Sequence, residues 1–219
     1  MPTEHDPKPN PADPMNEAEA ECEALEHGVR YLLASYHGIL HLNGPDNSAE
    51  VRFIRAPEDG RLIMACPVAS FFAEEIVLFV PDEADDAMKL LLSGEQIEES
   101  ALTDRCQAYH GDPEHVRWGA FWIDSAKHGP WVFDGDAMMT PNPFAGEETT
   151  LLRELNADRA ALGDLARREH TVDAAEGVAV GLDPLGLDIR LRFGPTRIAF
   201  AERAPSLARA GEMIRAMLS

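Results

Sequence analysis

Residues 181–188 read GLDPLGLD, inside the longer stretch 176–200, EGVAVGLDPLGLDIRLRFGPTRIAF. Asp183-Pro184-Leu185-Gly186 is a tight-turn signal. Proline presets φ, aspartate bonds its own backbone two residues on, and glycine tolerates the conformations that close a turn. The flanks are rich in Val, Leu and Ile, so Glu176–Gly181 and Leu187–Phe193 read as strands joined by that turn, with Arg197–Phe200 as a third. On either side the period changes to that of a helix. Leu151, Leu152, Leu155, Leu162 and Leu165 share one face over 147–169, and Leu207, Ala210, Met213, Ile214 and Met217 share one over Ala204–Leu218. Helix, three strands and helix make an α+β unit over 147–219. At roughly 75 residues it is marginal alone and is expected to pack on what precedes it.

Pro141-Asn142-Pro143 separates this unit from residues 16–143. Cys22, Leu25, Val29, Leu32, Leu33 and Tyr36 predict an amphipathic helix over Asn16–Ser35, with Asn16 as its cap and Gly38 ending it. Short strands follow at Gly38–Leu42, Val51–Ala56, Arg61–Cys66 and Glu75–Val80, with Pro57-Glu58-Asp59-Gly60 as a hairpin connection. Ala84–Leu92 reads as a short helix with Met88, Leu91 and Leu92 inward. Arg117–Asp124 and Trp131–Phe133 form a strand pair around His128-Gly129-Pro130. Strands at this spacing predict a compact antiparallel barrel. Residues 1–15 are proline-rich and poor in apolar groups, which predicts a disordered tail.

The chain has 219 residues, with 39 Asp and Glu against 19 Lys and Arg, a formal charge of -20. Residues 186–219 carry six arginines and a local +3, leaving -23 upstream. So acidic a chain lacks the cations that supply most affinity for nucleic acid, and no nucleic-acid partner is expected. No window approaches 18 apolar residues, and the start has neither a basic nor an apolar signal region, so a cytoplasmic protein without membrane spans is expected. Cys22, Cys66 and Cys106 are too few and too scattered for a disulfide framework or a cysteine zinc site. Phosphate-loop, dinucleotide, nucleophile-elbow and zincin motifs are absent.

Arg52, Arg55 and Arg61 lie on two adjacent strands of an otherwise acidic chain. Period two puts Arg52 and Arg55 on opposite faces. One of them with Arg61 can face a phosphate or a propionate; the alternative is pairing with Glu50, Glu58 and Asp59. Trp118 and Trp122 share a strand face and Phe121 takes the other, which suits stacking on a flat cofactor or burial in a core or dimer interface. His37 and His41 are separated by Gly38, His110 and His115 flank Gly111-Asp112-Pro113, and His170 ends a helix. Asp134-Gly135-Asp136 reads as a turn rather than a metal loop. None of these earns a catalytic role from sequence.

Residues 117–137 (RWGAFWIDSAKHGPWVFDGDA) and 151–218, through LLRELNADRAALGDLARR, VAVGLDPLGLDIRLRFG and RIAF, resemble the split-barrel proteins related to pyridoxamine 5'-phosphate oxidase, in particular the HugZ-type haem-utilisation branch. The resemblance implies an FMN-binding-type split β-barrel, then a small helix–three-strand–helix domain, and a homodimer with ligands held where two barrels meet. Some relatives bind haem, some flavin mononucleotide (FMN), and some no cofactor, acting as protein partners. Relatives hold the flavin phosphate with a His-Thr-Arg-Asn-like run where this chain has Pro67–Ala73. Their His-Met-Asn-x-Asp-His motif corresponds to Glu154–Arg159, which keeps Asn156 and Asp158. The resemblance thus implies a haem- or tetrapyrrole-related binding protein, or a cofactor-free one with a protein partner; the alternative is an FMN-dependent oxidoreductase. Propionates would meet Arg52, Arg55 or Arg61, the ring would meet Trp118 and Trp122, and His110 would be the axial ligand.

Overall fold

The computed structural model describes residues 14–113, 117–170, 172 and 174–219. The expected disordered tail lies outside these residues, except Pro14 and Met15, which open the first helix; His115 also lies outside. Helix α1 (Pro14–Leu33) buries Leu32 and lays Leu25 and Val29 against the barrel. Strands β1 (His37–Leu42), β2 (Ser48–Arg55), β3 (Leu62–Cys66), β4 (Ile76–Val80), β5 (Met88–Ile97), β6 (Arg117–His128) and β7 (Trp131–Asp134) follow in the order β3-β2-β1-β4-β5-β6-β7. An antiparallel pairing of β3 with β6 closes six of them into a barrel and leaves β7 as an extension of β6.

Alternation fills the interior. Phe53, Leu62, Met64, Leu78, Leu90 and Phe121 are all fully buried in one cluster. Phe121 sits against Gly94 and Gly119, where an added Cβ would come within 2.3 and 2.4 Å of its ring. Only glycine on the neighbouring positions leaves room for that ring.

Ala84–Leu92 is not a helix. Met88 begins β5, which pairs β4 on one edge and β6 on the other, and the buried set is Met88, Leu90 and Leu92, while Leu91 faces outward. Ala, Met, Lys and Leu favour helix locally, but two ladders and a period-two apolar set outweigh that preference. Helix α2 (Ala101–His110) follows β5 and has no counterpart in the sequence reading. Its start is a capping box between Ser100 and Thr103. Helix α3 (Gly135–Met138) follows β7, with the Asp134 carboxylate accepting from the Asp136 N–H.

The expected helix over 147–169 is two helices, α4 (Glu148–Leu155) and α5 (Arg159–His170). Asn156, at the break, turns its amide onto the backbone of Ala179, accepting at 2.8 Å and donating at 2.9 Å, and Asp158 accepts from the Ala161 N–H. Strands β8 (Val178–Asp183), β9 (Gly186–Leu191) and β10 (Gly194–Ala199) form a second antiparallel sheet, and α6 (Leu207–Leu218) packs with it around Leu162, Leu187, Ile189 and Ile214. The turn is as read: Asp183 pairs Gly186, and the Leu185 N–H donates to the Asp183 carboxylate at 2.7 Å. A third cluster, with Tyr36, Ile63, Cys106, Tyr109, Trp118 and Val180, joins the barrel's outer wall to α2 and β8. No helix among the described residues is long and apolar enough to cross a membrane.

Candidate functional site

The joint between barrel and second sheet is tied by a buried polar network. Asp188 stands on β9 between the core residues Leu187 and Ile189, and an acid at such a position must be partnered. Its Oδ1 accepts from the Tyr36 hydroxyl at 2.7 Å and from Arg197 at 2.7 Å, and its Oδ2 accepts from the Tyr109 hydroxyl at 2.7 Å. Arg197 also donates to Asp183 at 2.6 Å. Burial, then the neighbouring Asp188 charge, pushes both phenols well above their ordinary range, so they remain donors. Burial likewise raises the Asp188 carboxyl, opposed first by Arg197. Alongside, Arg105 on α2 donates to Glu148 at 2.6 Å, and the second Glu148 oxygen accepts from the Leu182 N–H at 2.8 Å. Charge-assisted bonds of this kind fix geometry as well as adding energy.

Two openings flank the network. The larger, about 980 Å³, runs from the end of α1 and the outer face of β1 and β2 to the β9–β10 connection. It brings together Arg52, His37 and His110 from the barrel side with Arg190, Arg192 and Phe193 from the second sheet. Phe193 is 82% exposed, with the Arg192 guanidinium 5.5 Å from its ring centre. Neither Arg190 nor Arg192 forms a salt bridge among the described residues. The smaller opening, about 300 Å³, lies between α1, the end of β2, residues 140–143 and the β8–β9 turn, and Arg55 lines it.

The sequence candidates therefore fall in three places. Arg52, His110 and Trp118 line one narrow pocket that continues into the larger cleft, with Trp118 itself buried in the joint. His110 Nε2 lies 3.0 Å from the Phe53 carbonyl, which can only accept, so this nitrogen carries the proton and Nδ1 keeps the lone pair. Burial first, then Arg52 and His37, hold His110 below the usual histidine range. Arg55 lies apart, its Nη2 donating to the carbonyls of Met138 at 2.9 Å and Thr140 at 3.3 Å. Arg61 and Trp122 lie together elsewhere, the guanidinium 4.8 Å above the indole and 2.7 Å from Asp59. Arg52, Arg55 and Arg61 thus do not form one patch.

Among the described residues no group of three or more His, Cys, Asp or Glu side chains converges to hold a metal ion. His37 is exposed in the cleft, whereas His41 is buried against Phe79 with its Nε2 3.3 Å from Glu83. His128 stacks on His27. The residues missed from sequence are Tyr36, Tyr109, Asp188, Arg197 and the pair Arg190 and Arg192. One signal for them was available, the acid at 188 within an apolar strand; the tyrosines give none, since their partners are remote in sequence.

No protein-family model matches the chain, and no curated protein matches it in sequence. Among solved structures, it is similar to a protein of unknown function from Agrobacterium tumefaciens, with a TM-score of 0.64 and 16% identity over 97% of this chain and 100% of that one. This is a likeness of fold. A heme binding protein from Mycobacterium smegmatis aligns over 89% of this chain and 97% of its own at 19% identity, with a TM-score of 0.37, too low to bear on the fold. The chain is an α+β protein with a closed six-stranded antiparallel barrel, one extra strand and a second small sheet.

Proposed function

We propose that the chain is a ligand-binding protein on a HugZ-like split barrel, taking a flat, anionic ligand of the tetrapyrrole class in the larger cleft. One observation carries the reading: in a chain of charge -20, three arginines from two separate sheets meet at one cleft, beside an exposed aromatic ring and an exposed imidazole. Arg52, Arg190 and Arg192 suit carboxylates through paired N–H groups, and Phe193 offers a face for stacking. The volume is at the upper end of small-molecule sites, which run to about 1,000 Å³.

The cleft suits haem with a donor set that differs from the family-based expectation: of the expected arginines only Arg52 lines it, joined by Arg190 and Arg192, and Phe193 replaces Trp118 and Trp122 as the ring face. His37 is exposed in the cleft whereas His110 is partly buried, so His37 is the better candidate for an axial ligand. The residues of this chain would hold the carboxylates and shield one ring face; the bound iron would supply whatever redox chemistry follows. Flavin phosphate is less well served. Within 67–73 the only hydroxyl, Ser70, is 2% exposed, so that segment presents no phosphate clamp.

Absorption titration with haemin and with FMN tests the reading. Haemin should give a saturable Soret change, weakened by about tenfold or more when Arg190→Ala and Arg192→Ala are combined. His37→Ala should alter the bound spectrum more than His110→Ala. Retention of FMN through gel filtration would instead favour the oxidoreductase reading, and no response to either ligand would favour a cofactor-free scaffold.

A further inference from the structure

We infer that the smaller cavity is a second, separate ligand site, which takes a small carboxylic acid with an apolar body, its carboxylate on Arg55. The walls supply the apolar half. Leu25, Val29 and Leu33 on α1 face Ile54, Leu182 and Leu185 across about 300 Å³. Such a space, with an apolar wall on one side and a few polar and charged groups on the other, is the usual make-up of a small-molecule pocket.

Arg55 supplies the polar half. Its Nη2 is anchored on the Met138 carbonyl and on the Thr140 carbonyl and hydroxyl, which fixes the plane of the guanidinium. Its Nε is buried and has no partner, and among the described residues Arg55 forms no ion pair. A buried donor without an acceptor is rare and calls for one. The other buried charges around the cavity are already in ion pairs. Arg197 is shared by Asp183 and Asp188, and Arg105 holds Glu148. Asp183 and Asp188 also line the cavity and oppose an anion; the single Arg197 offsets one of their two charges, two tyrosine hydroxyls occupy Asp188, and Asp183 acts on Arg55 only at a distance, without an ion pair. At the rim Glu26 is paired with Arg30, while Arg203 adds a second positive charge. Burial pushes the Arg55 guanidinium down to about 10, which leaves it cationic at neutral pH. A planar cation in an apolar cavity selects a carboxylate over a fully hydrated anion, because the ligand's apolar body brings the carboxylate in.

Titration calorimetry on the full chain with octanoate tests this, with octanol and inorganic phosphate as comparisons. Octanoate should bind saturably at one site, and octanol and phosphate should each bind far more weakly. Arg55→Gln should weaken octanoate by about tenfold to a hundredfold, the range for losing a charged hydrogen bond. Leu33→Trp, which fills the cavity and spares the charge, should abolish binding. Arg61→Ala, which lines neither opening, should bind as the wild type does. The inference is overturned if octanoate does not saturate, if Leu33→Trp binds it unchanged, if Arg61→Ala weakens it as much as Arg55→Gln, or if phosphate binds as tightly. Should Arg55→Gln fail to fold by circular dichroism, the octanol comparison and Leu33→Trp decide. The haemin titration reads the other cleft, so either assignment can fail alone.

Discussion

Replacing Gly181 with alanine gives the most direct test of the joint. A Cβ there would lie 1.7 Å from the Tyr109 hydroxyl oxygen, 2.9 Å from Asp188 Oδ2 and 3.0 Å from Tyr109 Cζ. Tyr109 reaches Asp188 only by crossing β8 at the residue that lacks a side chain. Gly181→Ala must therefore push Tyr109 off its acceptor. Losing a hydrogen bond to a charged group costs about 1.5–3 kcal/mol, and overpacking adds about 1–3 kcal/mol, so the single variant should lose about 2.5–6 kcal/mol. Tyr109→Phe removes the hydroxyl alone and should lose about 1.5–3 kcal/mol. With the hydroxyl gone the 1.7 Å contact disappears and only the two longer ones remain. Gly181→Ala in that background should then cost about 1–3 kcal/mol. The double variant should be less destabilised than the sum by about 1.5–3 kcal/mol, a large share of the roughly 5–15 kcal/mol that holds a domain together. Equilibrium urea unfolding of the four proteins measures it. Additivity within about 0.5 kcal/mol would refute the crossing of Tyr109 over Gly181.

Other consequences follow from the same geometry. Breaking the buried pair with Arg197→Met leaves Asp188 and Asp183 without their cation and should cost about 3–5 kcal/mol by urea unfolding; a loss under about 1 kcal/mol would count against it. His110 titrates below its ordinary 6.5 in the folded chain. The unfolded chain therefore binds more protons just below that pH, so stability is full above 6.5 and falls as pH drops through the folded value. His110→Gln keeps an N–H for the Phe53 carbonyl and should flatten the fall in thermal midpoint between about pH 7 and 5, whereas parallel curves would exclude His110 as a source. Burial pushes the Cys66 thiol up to about 11 and the Cys106 thiol up to about 12, while Cys22 is exposed. A thiol reagent at about pH 8 should therefore label Cys22 at once and the other two only on unfolding.

The parts of the fold that were legible are those where local chemistry and tertiary packing agree. The Asp-Pro-Leu-Gly turn needs nothing beyond its own residues, and the Asp183 carboxylate closing on the Leu185 N–H is a local bond. Strands β1 to β4 have turn residues at both ends, and Gly60 takes the positive φ of 79° expected of it. Residues 88–92, inside the expected helix 84–92, show the opposite case, since helix formers there are held extended between β4 and partners on β6 more than 30 residues ahead. Asn156 and Asp158 were noticed as remnants of a family motif. Their work in this chain is structural, one pinning β8 and the other capping α5. The candidate arginines were visible as a cluster in sequence, but a residue's period-two face and its place along the strand send Arg52, Arg55 and Arg61 to three different surroundings. Arg190 and Arg192 were visible only as part of the C-terminal charge excess, because nothing local says that the β9–β10 connection comes to rest beside β1 and β2.

Where ligands can go is limited by the barrel itself. Small barrels hold a ligand inside only if their interior side chains leave a lumen. Here Phe121 occupies the centre and the glycines beside it admit nothing larger, so the interior is spent on stability. Binding is thereby displaced to the outer wall, and there the second sheet matters twice. Its network with Tyr36 and Tyr109 fixes its position on the barrel, so Arg190 and Arg192 stand at fixed places beside the larger opening and Leu182, Asp183 and Leu185 beside the smaller one. Tyr36 and Tyr109 line both openings, so weakening the network should loosen both sites. Tyr109→Phe, which removes one of the three bonds to Asp188, should reduce haemin and octanoate affinity together, while Arg55→Gln should reduce octanoate alone. If Tyr109→Phe leaves both affinities unchanged while lowering stability, the network holds the fold and has no part in shaping the openings.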